Sequence, residues 1–188
     1  LFESFGTDRF DELYCGYELD ESIPRKTIPA QELFLNILKE RAETGRIYIM
    51  NIDHCNTHSS FIDKVSMSNL CQEITLPTVP LQHIDGDGEI ALCILSAVNV
   101  GKVQSDKELE ELCDLAVRSL DEIIDYQEYP VKAAEISTKA RRSLGIGFIG
   151  LAHYFAKLGF KYDSQEAWNA VHGLSESFQY FLLKASNN

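Results

Sequence analysis

Hydrophobic positions recur at three- and four-residue spacing through much of the chain, and the places where that spacing fails mark its loops and strands. Leu33, Phe34, Ile37 and Leu38 form one stripe of a helix beginning near Ala30, with Gly45 placed as its stop. Residues 46–53 then alternate, Ile47 and Ile49 against Tyr48 and Met50, which predicts a strand. The polar residues 54–67 read as a loop, and Gly86 with Gly88 as a tight turn. Residues 89–100 are an almost continuous apolar run, as expected of a strand buried on both faces. Ser105 and Glu108 form a capping box ahead of Leu109, Leu112, Cys113, Ala116, Leu120, Ile123 and Ile124, a helical stripe that lasts until Pro130. Two more helices are expected, over about residues 148–158 with Gly159 as stop, and over about 165–184 behind an Asp163-to-Glu166 box. Residues 1–29 carry only weak signals, with Gly6, Pro24 and Pro29 as breakers.

Composition narrows the function classes. At 188 residues and 45% hydrophobic content, the chain is long enough for one domain with its own core. A formal charge of -12 argues against a nucleic-acid backbone or an anionic membrane as partner. No stretch has the apolar length of a membrane span, and no signal-peptide pattern opens the sequence. Cys15, Cys55, Cys71, Cys93 and Cys113 are odd in number and scattered, which fits a reducing, cytoplasmic setting. The sequence starts at Leu1 and stops at Asn188 directly after an apolar helical run, so it reads as an excerpt of a longer polypeptide.

The candidate chemistry gathers in Ser68-Asn-Leu-Cys-Gln-Glu-Ile74. In an extended segment Asn69, Cys71 and Glu73 would share one face, offering an amide, a sulfur and a base to one small polar molecule. Pro77 and Pro80 keep any such strand short. A cysteine between polar neighbours is equally open to a reactive and a structural role. Cys93, inside its apolar run, reads as core unless residues 77–88 loop back and bring it to the same cavity as Cys71.

Other constellations are weaker. Gly145-Ile-Gly147-Phe-Ile-Gly150 matches a dinucleotide fingerprint in letters, but Lys139-Ala-Arg-Arg142 precedes it where an apolar strand is required. Close backbone packing is the expected reason for these three glycines. Asp53, His54, Cys55 and His58 hold metal-ligand types, yet two histidines four apart share a face only on a helix, and the flanking residues favour a loop, so no metal site is expected. Cys113 sits on an apolar stripe and reads as core, and Cys15 is uninformative. Arg141 with Arg142 reads as a solvated pair or a phosphate contact, and the acidic residues 106–114 as the wet face of a helix.

Ser68-Asn-Leu-Cys-Gln-Glu-Ile74 followed by Gly88-Glu-Ile-Ala-Leu-Cys93 resembles the finger loop and following strand of the large catalytic subunits of class I ribonucleotide reductases. The resemblance extends in the same order to Thr44-Gly-Arg-Ile-Tyr-Ile-Met-Asn-Ile-Asp-His-Cys-Asn-Thr-His58, to Asp125-Tyr126 and to Arg141-Arg-Ser-Leu-Gly-Ile-Gly147, and covers residues 31–188. It implies an α/β fold, part of a ten-stranded α/β barrel with outer helices and a central finger loop at about residues 66–88. It implies that Cys71 is the thiyl radical that takes the 3′ hydrogen of a ribonucleotide, and that Glu73 accepts the 3′ hydroxyl proton. Asn69 would hold the ribose hydroxyls, with Ser68 and Glu73 also in substrate contact. Cys93 would form a redox disulfide with a cysteine outside this chain, upstream of Leu1. The radical would come from a separate dimetal small subunit of the diiron-tyrosyl type, and thioredoxin or glutaredoxin would be the external reductant. A homodimer of the full large subunit and the remaining barrel segments complete the implied partners. The isolated stretch is accordingly expected not to turn over.

Two other readings make different predictions. A split or inactive segment would serve only as a structural piece of such an enzyme. A polar cysteine enzyme would use Cys71 as an ordinary nucleophile with His54 or His58 as its base, although no oxyanion-hole pattern accompanies the thiol.

Overall fold

Gly45 and Gly159 adopt left-handed conformations, φ 65° and 74°, and each ends a helix that the apolar spacing predicts. The structure, a computed structural model, describes residues 1–4, 6–83, 86 and 88–188, with Phe2 by its backbone alone. The turn expected at Gly86 and Gly88 includes Asp87, which lies outside the described residues. The chain divides into two compact units, Leu1–Val79 and Pro80–Asn188.

In the first unit, α1 spans Asp8–Leu19, α2 Ala30–Thr44 and α3 Ile52–Thr57. None of the three buries a residue, and Leu33, Phe34 and Leu38 of the α2 stripe are exposed. The strand expected over residues 46–53 is not formed: these residues join no ladder, and the last two begin α3. Alternation predicts a strand only where a partner supplies hydrogen bonds, and none does so among the described residues. The loop expected from residue 54 also starts as helix. Asn56 holds α3 to the segment after it: Nδ2 donates to the Ile52 and Val65 carbonyls at 2.8 and 2.9 Å, and Oδ1 accepts from the Val65 N–H at 2.8 Å. A side chain that reads as loop-forming therefore stabilises a helix here through a tertiary contact.

In the second unit, β1 (Ile94–Asn99) and β2 (Leu144–Ile149) pair in parallel, Ile94 opposite Leu144 and Asn99 opposite Ile149. The crossover between them contains α4 (Asp106–Tyr126) and α5 (Lys132–Arg141), and α6 (Leu151–Leu158) and α7 (Gln165–Asn187) follow. The predicted capping box of α4 is present with one change. Ser105 Oγ accepts from the Glu108 N–H at 3.2 Å, while the Glu108 carboxylate reaches Gln104 N–H at 2.7 Å, one residue further back. The cap of α7 is Ser164, whose Oγ accepts from the Ala167 N–H, rather than Asp163. Residues 148 and 149, assigned to a helix by periodicity, end the strand Leu144–Ile149 because β1 supplies a ladder; α6 begins only after Gly150.

Val98, Val100, Leu109, Cys113 and Phe178 form the core of this unit, with Ile146, Phe148, Leu174 and Phe181 packed around it. Phe148 meets Phe178 edge to face at 5.5 Å between ring centres. This core covers only one face of the strand pair. Leu95 and Ile149 on the other face are more than half exposed, so the run at 89–100 is not buried on both sides. The barrel's ten strands are not contained in the described residues; an α/β unit of two parallel strands with a helical layer on one face is.

Candidate functional site

The residues around Cys71 form a closed turn rather than the extended strand that alternation suggests. The Asn69 N–H donates to the Ile74 carbonyl at 3.1 Å, and the Gln72 N–H donates to the Asn69 carbonyl at 3.2 Å. The Asn69 side chain completes the closure, its Oδ1 accepting from the Ile74 N–H at 3.1 Å. Gln72 takes a left-handed conformation, φ 61°, and so reverses the chain just after the thiol. Leu70, Cys71 and Glu73 are exposed at this tip. Ser68 donates its hydroxyl to the Asn69 carbonyl at 2.9 Å, so that its role within this chain is to brace the turn. The structure therefore brings Ser68, Asn69, Cys71 and Glu73 together on one loop, as the sequence implies, by a different geometry. With Oδ1 committed to Ile74, the Nδ2 amide of Asn69 is the group left to donate to a ligand oxygen.

Cys93 belongs to the second unit and is placed by the strand pair. It precedes Ile94, whose N–H donates to the Ser143 carbonyl at 3.2 Å. Counting back along the alternation, Cys93 shares its face with Leu95 and Ala97, the face that α4 and α7 do not cover. The apolar run around it reads as core, but the thiol is only partly buried. That partial burial raises its pKa. Cys113 is a contrast: fully buried between β1 and α7 residues, its thiol is pushed up to about 11, as befits the core role expected of it.

The remaining candidates resolve into structural roles. His54 and His58 do lie on one short helix and its cap, but His58 Nδ1 is 3.2 Å from the His54 carbonyl and His54 Nε2 is 3.8 Å from Asp53. Neither imidazole is bonded to Cys71, and among the described residues no three His, Cys, Asp or Glu side chains are grouped to hold a metal ion. Arg141 pairs with Glu89, both mostly buried, and Arg142 grips Asp121 and Asp125. Arg141 is thus paired in a mostly buried setting, whereas Arg142 is paired with about a third of its side chain exposed. The Arg142 guanidinium holds the Asp125 carboxyl below its ordinary range. Both arginines, with Arg118, border an open groove of about 740 Å³ beside Leu144 and Ile146, where each already has a carboxylate partner.

Gly145 and Gly147 lie within β2 and only Gly150 turns toward α6, so the strand-then-glycine order of a dinucleotide site is absent. A Cβ at Gly145 would meet Leu95 and Cys93, and one at Gly150 would meet Asn99 and the Gly101 backbone. Gly147 faces open space and Gly145 is crowded by side chains rather than backbone, so the close backbone packing expected of all three holds only at Gly150. The arginine pairs and the Asn69 closure were not signalled in the sequence, because each depends on which distant or turned backbone comes near.

A family model described as "Ribonucleotide reductase, barrel domain" matches residues 1–188. Subunit alpha of ribonucleoside-diphosphate reductase from Haemophilus influenzae is 57% identical over 194 residues, covering 100% of this chain and 26% of that protein. Ribonucleoside-diphosphate reductase 1 subunit alpha of Escherichia coli (strain K12) is 52% identical over 193 residues, covering 100% of this chain and 25% of its own length. The subunit alpha of Enterobacteria phage T4 is 41% identical, covering 95% of this chain and 24% of the phage protein. The chain thus spans about a quarter of the length of these relatives. With the family model matching residues 1–188, the chain belongs to the ribonucleotide reductase barrel-domain family.

Proposed function

We propose that this chain is the finger-loop segment of the catalytic subunit of a ribonucleoside-diphosphate reductase, converting ribonucleotides to deoxyribonucleotides for DNA synthesis. The observation that carries this reading is the closed turn at residues 69–74, which exposes Cys71 between Asn69 and Glu73. A sulfur radical exchanges hydrogen with carbon only at close range, so a turn that fixes the sulfur matters more than its acidity.

In this reading the Cys71 sulfur radical takes the hydrogen from C3′, forming an S–H bond and leaving the radical on carbon. Glu73 accepts the 3′ hydroxyl proton, for which it must come within hydrogen-bonding distance. Asn69 Nδ2 holds a ribose hydroxyl oxygen, with Ser68 beside it. The C2′ hydroxyl leaves as water, and Cys93 and a second thiol outside this chain supply two hydrogens and two electrons, becoming a disulfide. Cys71 then returns hydrogen to C3′ and regains its radical. A separate dimetal small subunit generates that radical, and thioredoxin or glutaredoxin restores the two thiols. The setting is cytoplasmic, in keeping with five free cysteines and, among the described residues, no helix long and apolar enough to cross a membrane. A homodimer of the full polypeptide and the remaining barrel segments are the partners of this stretch, and residues 1–188 alone give no turnover.

The test is a single turnover of the full-length polypeptide with its radical subunit and 3′-tritiated nucleotide. The wild type releases tritium, and Cys71→Ser releases none, because an O–H bond is too strong for oxygen to replace sulfur in the exchange. Tritium release by Cys71→Ser at the wild-type rate would remove Cys71 from the radical role.

A further inference from the structure

Gly145 stands opposite Leu95 in the strand ladder, on the open face of the sheet that also carries Cys93. A Cβ built there would lie 2.5 Å from Leu95 Cδ2 and 3.0 Å from Cys93 Sγ. The backbone itself does not call for glycine at this position, since Gly145 is not among the positive-φ residues. Glycine in a strand interior weakens the strand, and its usual reason is the close approach of another group. Two atoms make that approach here, and they differ in consequence. Leu95 is 62% exposed, and its terminal methyl can swing away at little expense. The thiol sits one bond from Cβ and has a single torsion with which to move. Gly147, two residues on along the same face, would meet nothing within 4 Å, so the face as a whole does not demand glycine.

We propose that Gly145 is a positioning residue for Cys93: by presenting no Cβ, it sets where the thiol lies on the open face of the sheet. The proposal rests on the reading of Cys93 as one of the two thiols that reduce C2′. In that step the C2′–OH bond breaks, water leaves, a C–H bond forms at C2′, and the two thiols become one disulfide. A sulfur displaced by a few tenths of an ångström should serve this step less well, while hydrogen abstraction by Cys71 proceeds.

The experiment uses the full-length polypeptide with its radical subunit, 3′-tritiated ribonucleoside diphosphate and an excess of dithiol. It measures tritium release, deoxynucleotide, free base and the thermal midpoint. For Gly145→Ala, tritium release should stay within about twofold of wild type, while deoxynucleotide formed per tritium released falls about tenfold and free base rises. The thermal midpoint should hold, because alanine suits a strand at least as well as glycine. Leu95→Ala alone should give the wild-type yield. Leu95→Ala/Gly145→Ala, which removes the leucine contact and leaves only the thiol contact, should keep the defect. A wild-type yield per tritium in Gly145→Ala overturns the proposal. So does recovery in the double variant, which would assign the glycine to Leu95, and so does a parallel loss of tritium release, yield and thermal midpoint, which would make the effect one of folding. If tritium release by the wild type does not depend on Cys71, the radical reading itself fails; normal abstraction with normal partition in Gly145→Ala fails only the positioning role.

Discussion

Cys71 and Cys93 are held by two different kinds of structure. Cys71 sits on a turn closed by its own neighbours, with the Asn69 side chain bonded to the Ile74 backbone and Gln72 in a left-handed conformation. Cys93 sits at the start of a parallel ladder, beside a glycine on the next strand and partly desolvated. In the proposed cycle, a thiol that must approach a carbon atom at one moment is served by an exposed tip whose shape is local. In that cycle, a thiol that must meet a second sulfur is served by a strand-held position, and partial burial disfavours its thiolate. The two cysteines should therefore fail in different ways when their surroundings are changed.

The largest effect that separates them comes from Cys93→Ser in the full-length enzyme. Deoxynucleotide formation should stop, while 3′-tritium release persists and free base appears as the stranded intermediate loses it. Silence in the tritium assay would mean that Cys93 is needed for assembly or binding, and the division of labour would be lost. In the proposed cycle the two cysteines act in turn, so the Cys71→Ser/Cys93→Ser variant should be no worse than Cys71→Ser alone.

Glu73→Gln keeps the shape of the tip and removes the proposed proton acceptor. Tritium release should slow by roughly 10²- to 10⁴-fold, the usual worth of a positioned general base. An unchanged rate would transfer that role to another group.

The difference between the sites also explains what could be read ahead of the structure. Helices α2, α4 and α7 were legible because a long apolar stripe and a terminal cap agree. Helix α5 was not, because the face it buries is Ala133, Ala134, Ser137 and Thr138, small residues that leave no hydrophobic period. The strand expected at residues 46–53 failed because alternation does not reveal whether a ladder partner exists. The membership of Ser68, Asn69, Cys71 and Glu73 in one loop was legible from residue types alone. That Asn69 spends one end of its amide on Ile74 was not, since the bond exists only once the turn has formed. The open face around Cys93 was hidden for the opposite reason: an apolar run looks the same whether one side or both are covered.

Asn69 can be divided into its two ends by substitution. Asn69→Asp keeps an oxygen for the Ile74 N–H and loses the Nδ2 donor, whereas Asn69→Ala loses both. The aspartate variant should lose about tenfold in kcat/KM, in line with one hydrogen bond to substrate, and the alanine variant should lose more. If aspartate matched wild type while alanine was impaired, Asn69 would serve the turn alone and the substrate hydroxyls would need another donor.

The smallest effect is expected at Gln72, and it bears on whether the turn is shaped by backbone or by side chain. Its φ of 61° costs an ordinary residue about 1–2 kcal/mol, a strain that glycine does not feel and asparagine feels less. Glycine returns part of that gain through the greater freedom of the unfolded chain, about 0.5–1 kcal/mol. Both variants keep the Gln72 N–H that donates to the Asn69 carbonyl, so the i to i+3 closure survives. Gln72→Gly and Gln72→Asn should therefore both stay within about twofold of wild type in kcat/KM and leave stability within about 1 kcal/mol. A loss beyond tenfold in both would mean that the glutamine side chain itself reaches the substrate. A loss in glycine alone would mean that the tip needs stiffness, and that the exposed thiol depends on the turn being held as well as being formed.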